Sequence, residues 1–556
     1  MGVKYFFSWF KNNFAECVSR VRGGQKIKLE KDVDVLMLDL NGIFHNCAGK
    51  VYQYGNYAGK GRMLRKSKPS PIDVYREITN YVQFLVNTIQ PVKKLILCID
   101  GVAPIGKQNQ QRSRRFKSAK AKSEEEFRLF DSNCITPGTK FMDNMSKYID
   151  WWIRQKVSSD WMHLEVVFSN EKVPSEGEQK LVQYIRKFGR DDETYMIHGM
   201  DADIVMLALA THRPNFYILR ETMMPYTGEF FVLDIGKTRG MLCDLMKWEK
   251  NREKYDEKSA INDFIFMCFT AGNDFLPQIP TIEIVNGGID ILLGIYRGIS
   301  KHLTTNHTGK VYFDKDVLCE FMNILSYQED TILYEKVNKS DSYYKDTILE
   351  TCLIHTSEKI KVDFKKYVEE YSNEKFGVFE EKFSLDYIDG MQWVLNYYTT
   401  GLESWEWSYK NHYAPLVSNI VKYLGNYEHK KYPKTYPTPP FVQLLCVLPP
   451  KSFHLIPEGL NESYKDEKLV KFYPDEFEVD LTGRKKDWEG IVILPFLNLK
   501  TVKEIYEKNL KKVEEKELKR NRFGRSMIYH YDGFNRLFES YYGNVNTMCS
   551  TTFIDF

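Results

Sequence analysis

Seven acidic residues each close an apolar, strand-like run or lie in the turn that follows one. The runs are DVDVLMLDLNG, KKLILCIDG, HLEVVFSNEKVPSEGE, TYMIHGMDAD and FIFMCFTAGND. Ligands of open α/β sheets bind beyond the carboxyl ends of the strands, so this placement predicts that the seven carboxylates converge at one edge of a sheet. The residues are Asp39, Asp100, Glu176, Glu178, Asp201, Asp203 and Asp274.

Such a cluster of carboxylates predicts a metal site. Seven negative charges in one cleft repel one another, and without cations most of them would have to take up protons. Carboxylate oxygens are the ligands that Mg²⁺ and Mn²⁺ prefer. Two such ions form a common apparatus for hydrolysing a phosphodiester. We therefore expect all seven acids to be catalytic metal ligands around a pair of Mg²⁺ or Mn²⁺ ions.

Each acid also has an ordinary structural explanation. Asp201 or Asp203 could cap the helix that follows, because Asp is a preferred N-cap residue. Ser175 and Glu178 have the spacing of a capping box, and the remaining acids could be turn residues. Any one of these explanations is sufficient alone. Five separate places along the chain need one, however, and this favours the metal site.

A second group of residues lies in the basic segment GKQNQQRSRRFKSAKAK. Four of its side chains are spaced so that they share one stripe of a helix. The stripe begins seven residues after Asp100, and Arg and Lys supply the donors that suit a phosphate. It predicts a pocket for a terminal phosphate beside the metals, whereas the later lysines of the segment are typical of a solvated face. The four residues are Lys107, Gln111, Arg114 and Arg115.

Three aromatic residues are candidates for holding a nucleobase. His45 follows the first acid by six residues, and Trp405 and Trp407 lie in the segment SWEW. A base stacked between a histidine and a tryptophan is held without any contact that reads its identity. The alternative is that these tryptophans are core residues, as most buried tryptophans are. The sequence does not distinguish which of the two tryptophans would stack.

The pattern of apolar runs predicts an α/β fold. Short β-like runs at 33–39, 95–99, 164–168 and 194–198 alternate with helix-like stretches at 72–89, 141–156 and 176–188. Such alternation is typical of a mostly parallel sheet flanked by helices. A polar, charged segment at 311–384 is expected to be helical and to connect, or to be inserted between, residues 1–310 and an apolar, aromatic region at 385–556.

Composition excludes several classes of protein. The 78 basic and 75 acidic side chains of the 556 residues give a net charge of +3, so binding of a polyanion would depend on local patches. Ten cysteines without a C-x-x-C pair do not fit a zinc ribbon or a disulfide scaffold. No signal peptide is seen, and no apolar run approaches the ~18 residues of a membrane span. We expect a cytoplasmic protein that does not associate with membranes.

Blocks of sequence along most of the chain resemble one family. They include MGVKYFFSWF, LDLNGIFHNC, IDGVAPIGKQNQQRSRRFK, VPSEGEQK, HGMDADIVMLALATH, FMCFTAGNDFLP, MQWVLNYYTTG and SWEWSYKNHYAP. In content and order these blocks resemble the XRN family of 5'-to-3' exoribonucleases, from residue 1 to beyond residue 500. The chain resembles the catalytic core of that family and lacks the long C-terminal extension of the cytoplasmic members.

The resemblance implies a fold and a division of labour. It implies a PIN-like or FEN-like nuclease core at 1–310 and a C-terminal α+β region at 385–556 that packs onto this core and walls the active site. It assigns the seven acids to the metal site and the basic stripe to a pocket for a 5'-monophosphate. It also implies that His45 stacks with one of the two tryptophans of SWEW.

The expected function follows from the resemblance together with these residues. It is Mg²⁺-dependent, processive 5'-to-3' hydrolysis of single-stranded RNA that carries a 5'-monophosphate, as decapped transcripts do, with release of nucleoside monophosphates. A monomer is expected, and a decapping enzyme is a candidate partner. Two alternatives remain open: a structure-specific flap endonuclease acting on DNA, and a non-catalytic protein that binds 5'-phosphorylated RNA.

Overall fold

The helices and strands of the chain are taken from a computed structural model that describes residues 3–57, 68–222, 228–338, 344–357 and 359–556. The strands are β1 Val18–Arg22, β2 Val35–Asp39, β3 Lys94–Cys98, β4 Glu165–Ser169, β5 Tyr195–His198, β6 Phe216–Glu221, β7 Glu229–Asp234, β8 Thr304–His307, β9 Lys310–Phe313, β10 Leu353–His355, β11 Ile360–Val362, β12 Glu478–Asp480, β13 Ile491–Ile493, β14 Ser526–Phe538 and β15 Val545–Ile554. The helices are α1 Phe6–Asn13, α2 Leu40–Tyr52, α3 Pro71–Ile89, α4 Ile105–Ala121, α5 Glu124–Leu129, α6 Lys140–Val157, α7 Gly177–Phe188, α8 Asp203–Ala210, α9 Ile235–Met246, α10 Glu257–Cys268, α11 Gly288–Ile299, α12 Lys315–Asn338, α13 Thr347–Thr351, α14 Phe364–Phe376, α15 Glu381–Thr399, α16 Val417–Leu424, α17 Pro440–Val447, α18 Leu499–Leu510 and α19 Glu515–Leu518.

One large sheet organises the molecule. Within the described residues it has nine strands in the order β1-β7-β6-β5-β2-β3-β4-β14-β15. The central strands β6, β5, β2, β3 and β4 run parallel, and the strands at both edges pair antiparallel. The predicted α/β class with a mostly parallel central sheet is therefore confirmed. The parallel strands also bring their carboxyl ends to the same edge.

Both faces of the sheet are covered, as its sequence requires. Strand β2 is apolar along its whole length, which is typical of a strand buried on two sides. Alternate residues of a strand point to opposite faces. Val35 and Met37 belong to one apolar core, and Leu36 and Leu38 belong to another on the opposite face. Each core is fully shielded from solvent at these positions.

The C-terminal region contributes to the same packing. Helix α15 places Trp393, Tyr397 and Tyr398 in the core that also contains the Val35 face of β2. Helix α17 lies against α4, where Phe116 joins an apolar core formed mainly by residues 441–513. Side chains from distant parts of the sequence therefore surround both the sheet edge and helix α4.

The structure shows how two segments of the sequence fold, the run FIFMCFTAGND and the segment 311–384. The run FIFMCFTAGND, interpreted as strand-like, forms the end of helix α10 and a turn, so that prediction is wrong. A short apolar run cannot be assigned to a strand or a buried helix by periodicity alone, and here the helical alternative was realised. The segment 311–384 contains helices α12, α13 and α14 and also the strand pair β10 and β11.

Two further properties concern the chain as a whole. No helix among the described residues is both long enough and apolar enough to cross a bilayer. Nine of the ten cysteines are buried, and Cys319 is partly exposed. Burial of this kind is typical of cysteines that serve as small apolar core residues.

Candidate active site

The sequence places acids at four neighbouring strand ends. Asp39 is the last residue of β2, and Asp100 follows β3 by two residues. Glu176 precedes the first residue of α7 in the connection after β4. Asp201 and Asp203 lie between β5 and the first turn of α8. Because these strands are parallel neighbours, all of these side chains lie at one edge of the sheet.

Asp39 interacts with acids from three other segments. Burial raises its pKa well above the usual range, and repulsion from Asp100, Asp201 and Glu176 raises it further. The backbone at Gly177 permits this crowding: its amide donates to Asp100 Oδ1 at 2.6 Å. A Cβ atom at Gly177 would lie 2.5 Å from Asp39 Oδ1, so only glycine fits here without displacing the carboxylate.

Glu178 and Asp203 extend the cluster toward Asp274. Burial raises the pKa of Glu178 well above its usual range, with further contributions from Glu176 and Asp203. Burial also raises the pKa of Asp203 to about 7, and repulsion from Asp274 adds to this shift. Glu178 Oε2 is buried and has no hydrogen-bond partner among the described residues. Together these interactions connect all seven predicted acids.

The structural explanations for these acids hold only in part. Asp39 does cap α2, since its side chain accepts from the amide of Asn41 at 3.4 Å. The capping box proposed for Ser175 and Glu178 does not form, because Glu176 and not Ser175 is the N-cap residue of α7. Asp203 lies inside the first turn of α8 rather than at its cap. Capping therefore does not account for the cluster.

Lys107 points into the acidic cluster. Its ammonium donates to Asp274 Oδ2 at 2.7 Å and forms an ion pair with Glu176. Burial opposes ionisation of Asp274, but Lys107 holds the pKa of Asp274 well below its usual range. In this structure Lys107 thus neutralises acids, whereas the sequence placed it with the phosphate pocket.

The other members of the basic stripe differ in exposure. Gln111 is buried, and its Oε1 has no hydrogen-bond partner among the described residues. Arg115 is buried and donates to Thr136 Oγ1 at 2.6 Å, while burial and the charge of Arg114 lower the pKa of Arg115 to about 9. Arg114 is exposed. It is therefore the member of the stripe most accessible to a ligand.

Electrostatic interactions place the stripe beside the acids and beside His45. Arg115 interacts with Asp100, and Arg114 interacts with Asp274. The side chain of His45 is exposed to solvent. Desolvation by its surroundings, together with the charges of Arg114 and Arg115, lowers its pKa to about 3. The ring is therefore neutral at physiological pH and suited to stacking.

The two tryptophans of SWEW have different surroundings. The ring of Trp407 stacks on Trp393 with centroids 4.5 Å apart and planes 19° apart, and its Nε1 donates to Asp389 Oδ2 at 3.2 Å. Trp407 is thus held by the core, as the structural alternative predicts. The ring of Trp405 is half-buried and has no aromatic partner within the described part of the chain. Trp405 is the better candidate for a stacking residue.

The segment that carries the tryptophans is fastened to the first turn of α4. The amide of Ile105 donates to the carbonyl of Trp405 at 2.8 Å, and the amide of Gly106 donates to that of Trp407 at 3.1 Å. The first amides of a helix have no partners within the helix. These bonds satisfy two of them and set SWEW beside the basic stripe.

Sequence reasoning missed two tyrosines that contact the acids. The hydroxyl of Tyr397 donates to Glu176 Oε1 at 2.7 Å, and that of Tyr398 donates to Asp203 Oδ2 at 3.0 Å. Both lie on α15, far from the acids in sequence. The motif NYY in an otherwise apolar helix was the available signal, because buried tyrosine hydroxyls usually have polar partners.

Two further polar residues hold the strand ends. Asn41 Nδ2 donates to Asp100 Oδ2 at 2.9 Å, and the amide of Asp100 donates back to Asn41 Oδ1 at 3.0 Å. Lys180 is buried and donates to the carbonyls of Ile99 at 2.6 Å and Asn170 at 2.9 Å. These contacts fix the backbone next to Asp100.

The chemistry of the donor set fits a hard divalent cation. Among the described residues, no three His, Cys, Asp or Glu side chains adopt a metal-binding arrangement. The fit rests on the chemistry of the donors: buried carboxylates that repel one another and an unpaired oxygen of Glu178. A cation of this type would relieve that repulsion.

Comparisons with known proteins identify the family of the chain. A family model described as XRN 5'-3' exonuclease N-terminus matches residues 1–222, and one described as Xrn1 helical domain matches residues 254–370 and 355–548. The chain is 29% identical to human 5'-3' exoribonuclease 1, over 96% of this chain and 35% of that protein. It is 28% identical to 5'-3' exoribonuclease 1 of Saccharomyces cerevisiae, over 96% and 45%.

A relative named 5'-3' exoribonuclease 2 aligns with this chain over more of its own length. The chain is 26% identical to 5'-3' exoribonuclease 2 of Aspergillus oryzae, over 96% of this chain and 74% of that protein. It spans about a third to a half of the first-named relatives. With both family models matched, the chain belongs to the XRN family.

Proposed function

We propose that this chain is a processive 5'-to-3' exoribonuclease that uses Mg²⁺ or Mn²⁺ to degrade single-stranded RNA with a 5'-monophosphate into nucleoside monophosphates. The observation that carries the proposal is the convergence of seven acids beside a basic helix stripe. The names of the curated relatives support the same activity. Bound metal ions would supply charge stabilisation and an activated water.

Each group of side chains has a role in this proposal. The seven acids hold the cations, and Gly177 lets the backbone of α7 approach Asp39 and Asp100. Tyr397 and Tyr398 orient two of the acids from the C-terminal region, which supports the division into a nuclease region at 1–310 and a walling region at 385–556.

The basic stripe would select the end of the RNA. Arg114 and Gln111 would contact the terminal phosphate, with Arg115 fixing the wall behind it and Lys107 adding positive charge. Arginine offers a planar pair of donors to phosphate oxygens. A capped or triphosphorylated end would meet steric conflict or unpaired charge, so decapped transcripts are the natural substrate class.

The aromatic residues would hold the first base. His45 is neutral and exposed to solvent, and Trp405 lies in the segment fastened to α4. Stacking of this kind needs an unstacked base, which duplex RNA does not offer. The proposed substrate is therefore single-stranded. A cytoplasmic monomer supplied by a decapping enzyme completes the proposal.

One assay separates this proposal from its alternatives. The protein is incubated with internally labelled 5'-monophosphate RNA, the same RNA with a triphosphate end, and a flapped DNA, each with and without Mg²⁺. Mononucleotides from the first substrate alone, only with Mg²⁺, are expected. Internal cuts in the flap would favour a flap endonuclease, and retention of RNA without products would favour a binding protein.

Two sets of variants test the metal site and the phosphate pocket separately. Replacing both Asp201 and Asp203 with Ala should abolish turnover and spare RNA binding. Arg114→Ala should reduce the preference for monophosphate ends, while Lys120→Ala, an exposed charge later on the same helix, should not. An unchanged end preference in Arg114→Ala would contradict the phosphate pocket.

A further inference from the structure

A second cavity lies on the face of α4 that turns away from the basic stripe. It has a volume of about 270 Å³, close to the lower limit of typical small-ligand sites at about 300 Å³. Helix α4 contributes Asn109 and Ser113, which lie on a different side of the helix from the stripe, and Gln110, which borders the stripe. Most of the cavity therefore lies across helix α4 from the phosphate pocket.

The cavity adjoins the acidic cluster at one point. Asp274 lines the cavity and also accepts the hydrogen bond from Lys107. Gln110 Nε2 reaches Asp274 Oδ1 from the cavity side at 3.4 Å. The row of Lys107, Asp274 and Gln110 therefore forms a partition of side chains between the cluster and the cavity.

Two cations, Lys4 and Arg484, face the cavity, and the nearby carboxylate of Glu489 offsets part of the charge of Lys4. Neither Lys4 nor Arg484 forms an ion pair within the described part of the chain, and the ammonium of Lys4 donates to the backbone carbonyl of Glu489. The carboxylate of Glu489 is engaged by the hydroxyl of Tyr5 and the amide of Lys485. Burial and repulsion by Arg484 lower the pKa of Lys4 to about 8. An anion placed between the two cations would relieve this repulsion.

Part of the cavity wall is aromatic. His412 stacks on Phe496 with centroids 4.6 Å apart and planes 24° apart. Trp488 is 49% exposed, and its ring lies 5.8 Å from the ammonium of Lys4. Aromatic faces bind nucleobases of any type by stacking. A cavity with two cations against one nearby carboxylate, and with an aromatic wall, suits a ligand that is both anionic and planar.

We propose that this cavity binds a nucleoside monophosphate, with the phosphate between Lys4 and Arg484 and the base on the aromatic wall. Arginine and lysine recognise phosphate through charge-assisted hydrogen bonds, and the amides of Asn109 and Asn411 lie at the cavity wall to meet a base edge. The inference rests on the proposed function for the origin of the ligand, because such a nucleotide is the product expected from the neighbouring acids. A nucleotide taken from solution has the same chemistry.

Binding can be tested without RNA cleavage. AMP is titrated by calorimetry into the full chain in which Asp201 and Asp203 are both replaced by Ala, so that no turnover occurs. Introducing Arg484→Ala should weaken AMP binding tenfold or more, whereas Lys486→Ala, the loss of an exposed charge two residues away, should change it less than twofold. Inorganic phosphate and adenosine should each bind more weakly than AMP.

A third variant separates this cavity from the phosphate pocket. Because the phosphate pocket also accepts a 5'-monophosphate, Arg114→Ala should remove AMP binding at that pocket and leave within twofold the separate binding that Arg484→Ala weakens. An affinity that depends on Arg114 and not on Arg484 would overturn the inference. If Arg484→Ala does not fold, Trp488→Ala removes the exposed ring of the aromatic wall and should also weaken binding. Unchanged affinity in Trp488→Ala would then overturn the inference.

The source of the ligand follows from kinetics of the active chain. If the product leaves through the cavity, Arg484→Ala should slow multiple-turnover degradation and leave the single-turnover rate unchanged. If the nucleotide comes from solution, added AMP should change the degradation rate of the unmodified chain but not that of Arg484→Ala, and the two rates without AMP should be equal. Loss of AMP binding in Arg484→Ala would support the cavity even in a chain without nuclease activity, so the two proposals can fail separately.

Discussion

Buried acids occur in two settings in this molecule, and the settings differ in how the carboxylates are satisfied. Glu329, in the middle of α12, accepts hydrogen bonds from the hydroxyl of Thr281 and the amides of Val417 and Ser418. The amides begin helix α16, so Glu329 satisfies donors that a helix terminus leaves unpaired. The acids at the sheet edge instead face one another.

The difference distinguishes a structural acid from the acids that we propose to be functional. A buried carboxylate with several donors is part of the fold, because removing it would leave those donors unpaired. At the sheet edge, Asp39 accepts one long hydrogen bond from Asn41 and is repelled by three acids. Such an arrangement costs stability in the absence of a cation, and perturbed groups of this kind cluster at functional sites. Burial alone would not have distinguished the two settings.

The largest contrast is expected between Asp39→Asn and Glu329→Gln. Asp39→Asn should lower the rate of RNA degradation by roughly 1,000-fold or more, because metal-dependent charge stabilisation contributes several kcal/mol. It should not lower the free energy of unfolding, since it removes a repelled charge. Glu329→Gln should lower the free energy of unfolding by about 1–3 kcal/mol, because one acceptor is replaced by a donor. Rates per folded molecule and denaturant unfolding measure both quantities.

The two variants should therefore have opposite effects. Asp39→Asn should lose activity and keep stability, whereas Glu329→Gln should lose stability and keep activity. Equal loss of stability in both would show that the sheet-edge acids are structural. Loss of activity in folded Glu329→Gln would show that α12 communicates with the site. Either result would remove the distinction between the two settings.

Gly177→Ala should cause the next largest effect, because the added Cβ would lie 2.5 Å from Asp39 Oδ1 and 3.3 Å from Asp100 Oδ1. A displacement of about 1 Å at a catalytic group can cost about 100-fold in rate, and a loss of roughly that size is expected. Gly42→Ala is the matched control, since nothing lies within 4 Å of a Cβ at that helical position. Equal activity of Gly177→Ala and Gly42→Ala would mean that activity does not depend on the positions of the Asp39 and Asp100 carboxylates.

The effect of Mg²⁺ on the unfolding temperature should be smaller than these effects. It should depend on the sheet-edge acids and not on Glu329. Cations that relieve repulsion in the folded state stabilise it by mass action, by about 2.7 kcal/mol at 100 times the dissociation constant. The unfolding midpoint of the unmodified chain should therefore rise by a few degrees with Mg²⁺ and fall back with a chelator. Glu329→Gln should keep this shift, and Asp39→Asn should reduce it. A shift that survives Asp39→Asn would place the bound cation elsewhere.

The parts of the site that the sequence could predict are those governed by topology. Acids at the ends of β2, β3 and β5 meet because parallel neighbouring strands end at the same edge. Asp274 was predicted to join them for the wrong local reason, since it follows helix α10 and a turn rather than a strand. It still lies near Asp203, because helix α10 and the turn after it pack in the same core.

The parts that could not be predicted depend on partners from distant segments. Helical spacing places Lys107 and Arg115 on one stripe, but it does not show that Lys107 meets Asp274 or that Arg115 is buried against Thr136. The contact of Tyr397 with Glu176 joins residues 221 positions apart. Periodicity describes one element at a time, so contacts between elements have no signature in it.

The smallest expected effect is the pH dependence of stability that arises from His45. The charges that surround His45 are positive, whereas those that surround the sheet-edge acids are negative. The folded pKa of His45, about 3, lies below the ordinary value of 6.5. As the pH falls through 6.5 toward 3, the unfolded chain takes up a proton that the folded site refuses, so stability is lost on acidification. Because solvent reaches the ring, the loss at pH 5 should be below about 1 kcal/mol.

His45→Gln should remove this contribution. Denaturant unfolding at pH 7.5 and pH 5 should therefore show a larger decrease for the unmodified chain than for His45→Gln, and Arg114→Ala, which removes one of the charges that lower the pKa, should fall between them. Over the same pH range, His45 should stay neutral in the unmodified chain. It should therefore add no positive charge that would strengthen RNA binding. Parallel decreases in all three proteins would mean that His45 titrates normally and that the basic stripe does not lie close enough to shape the stacking site.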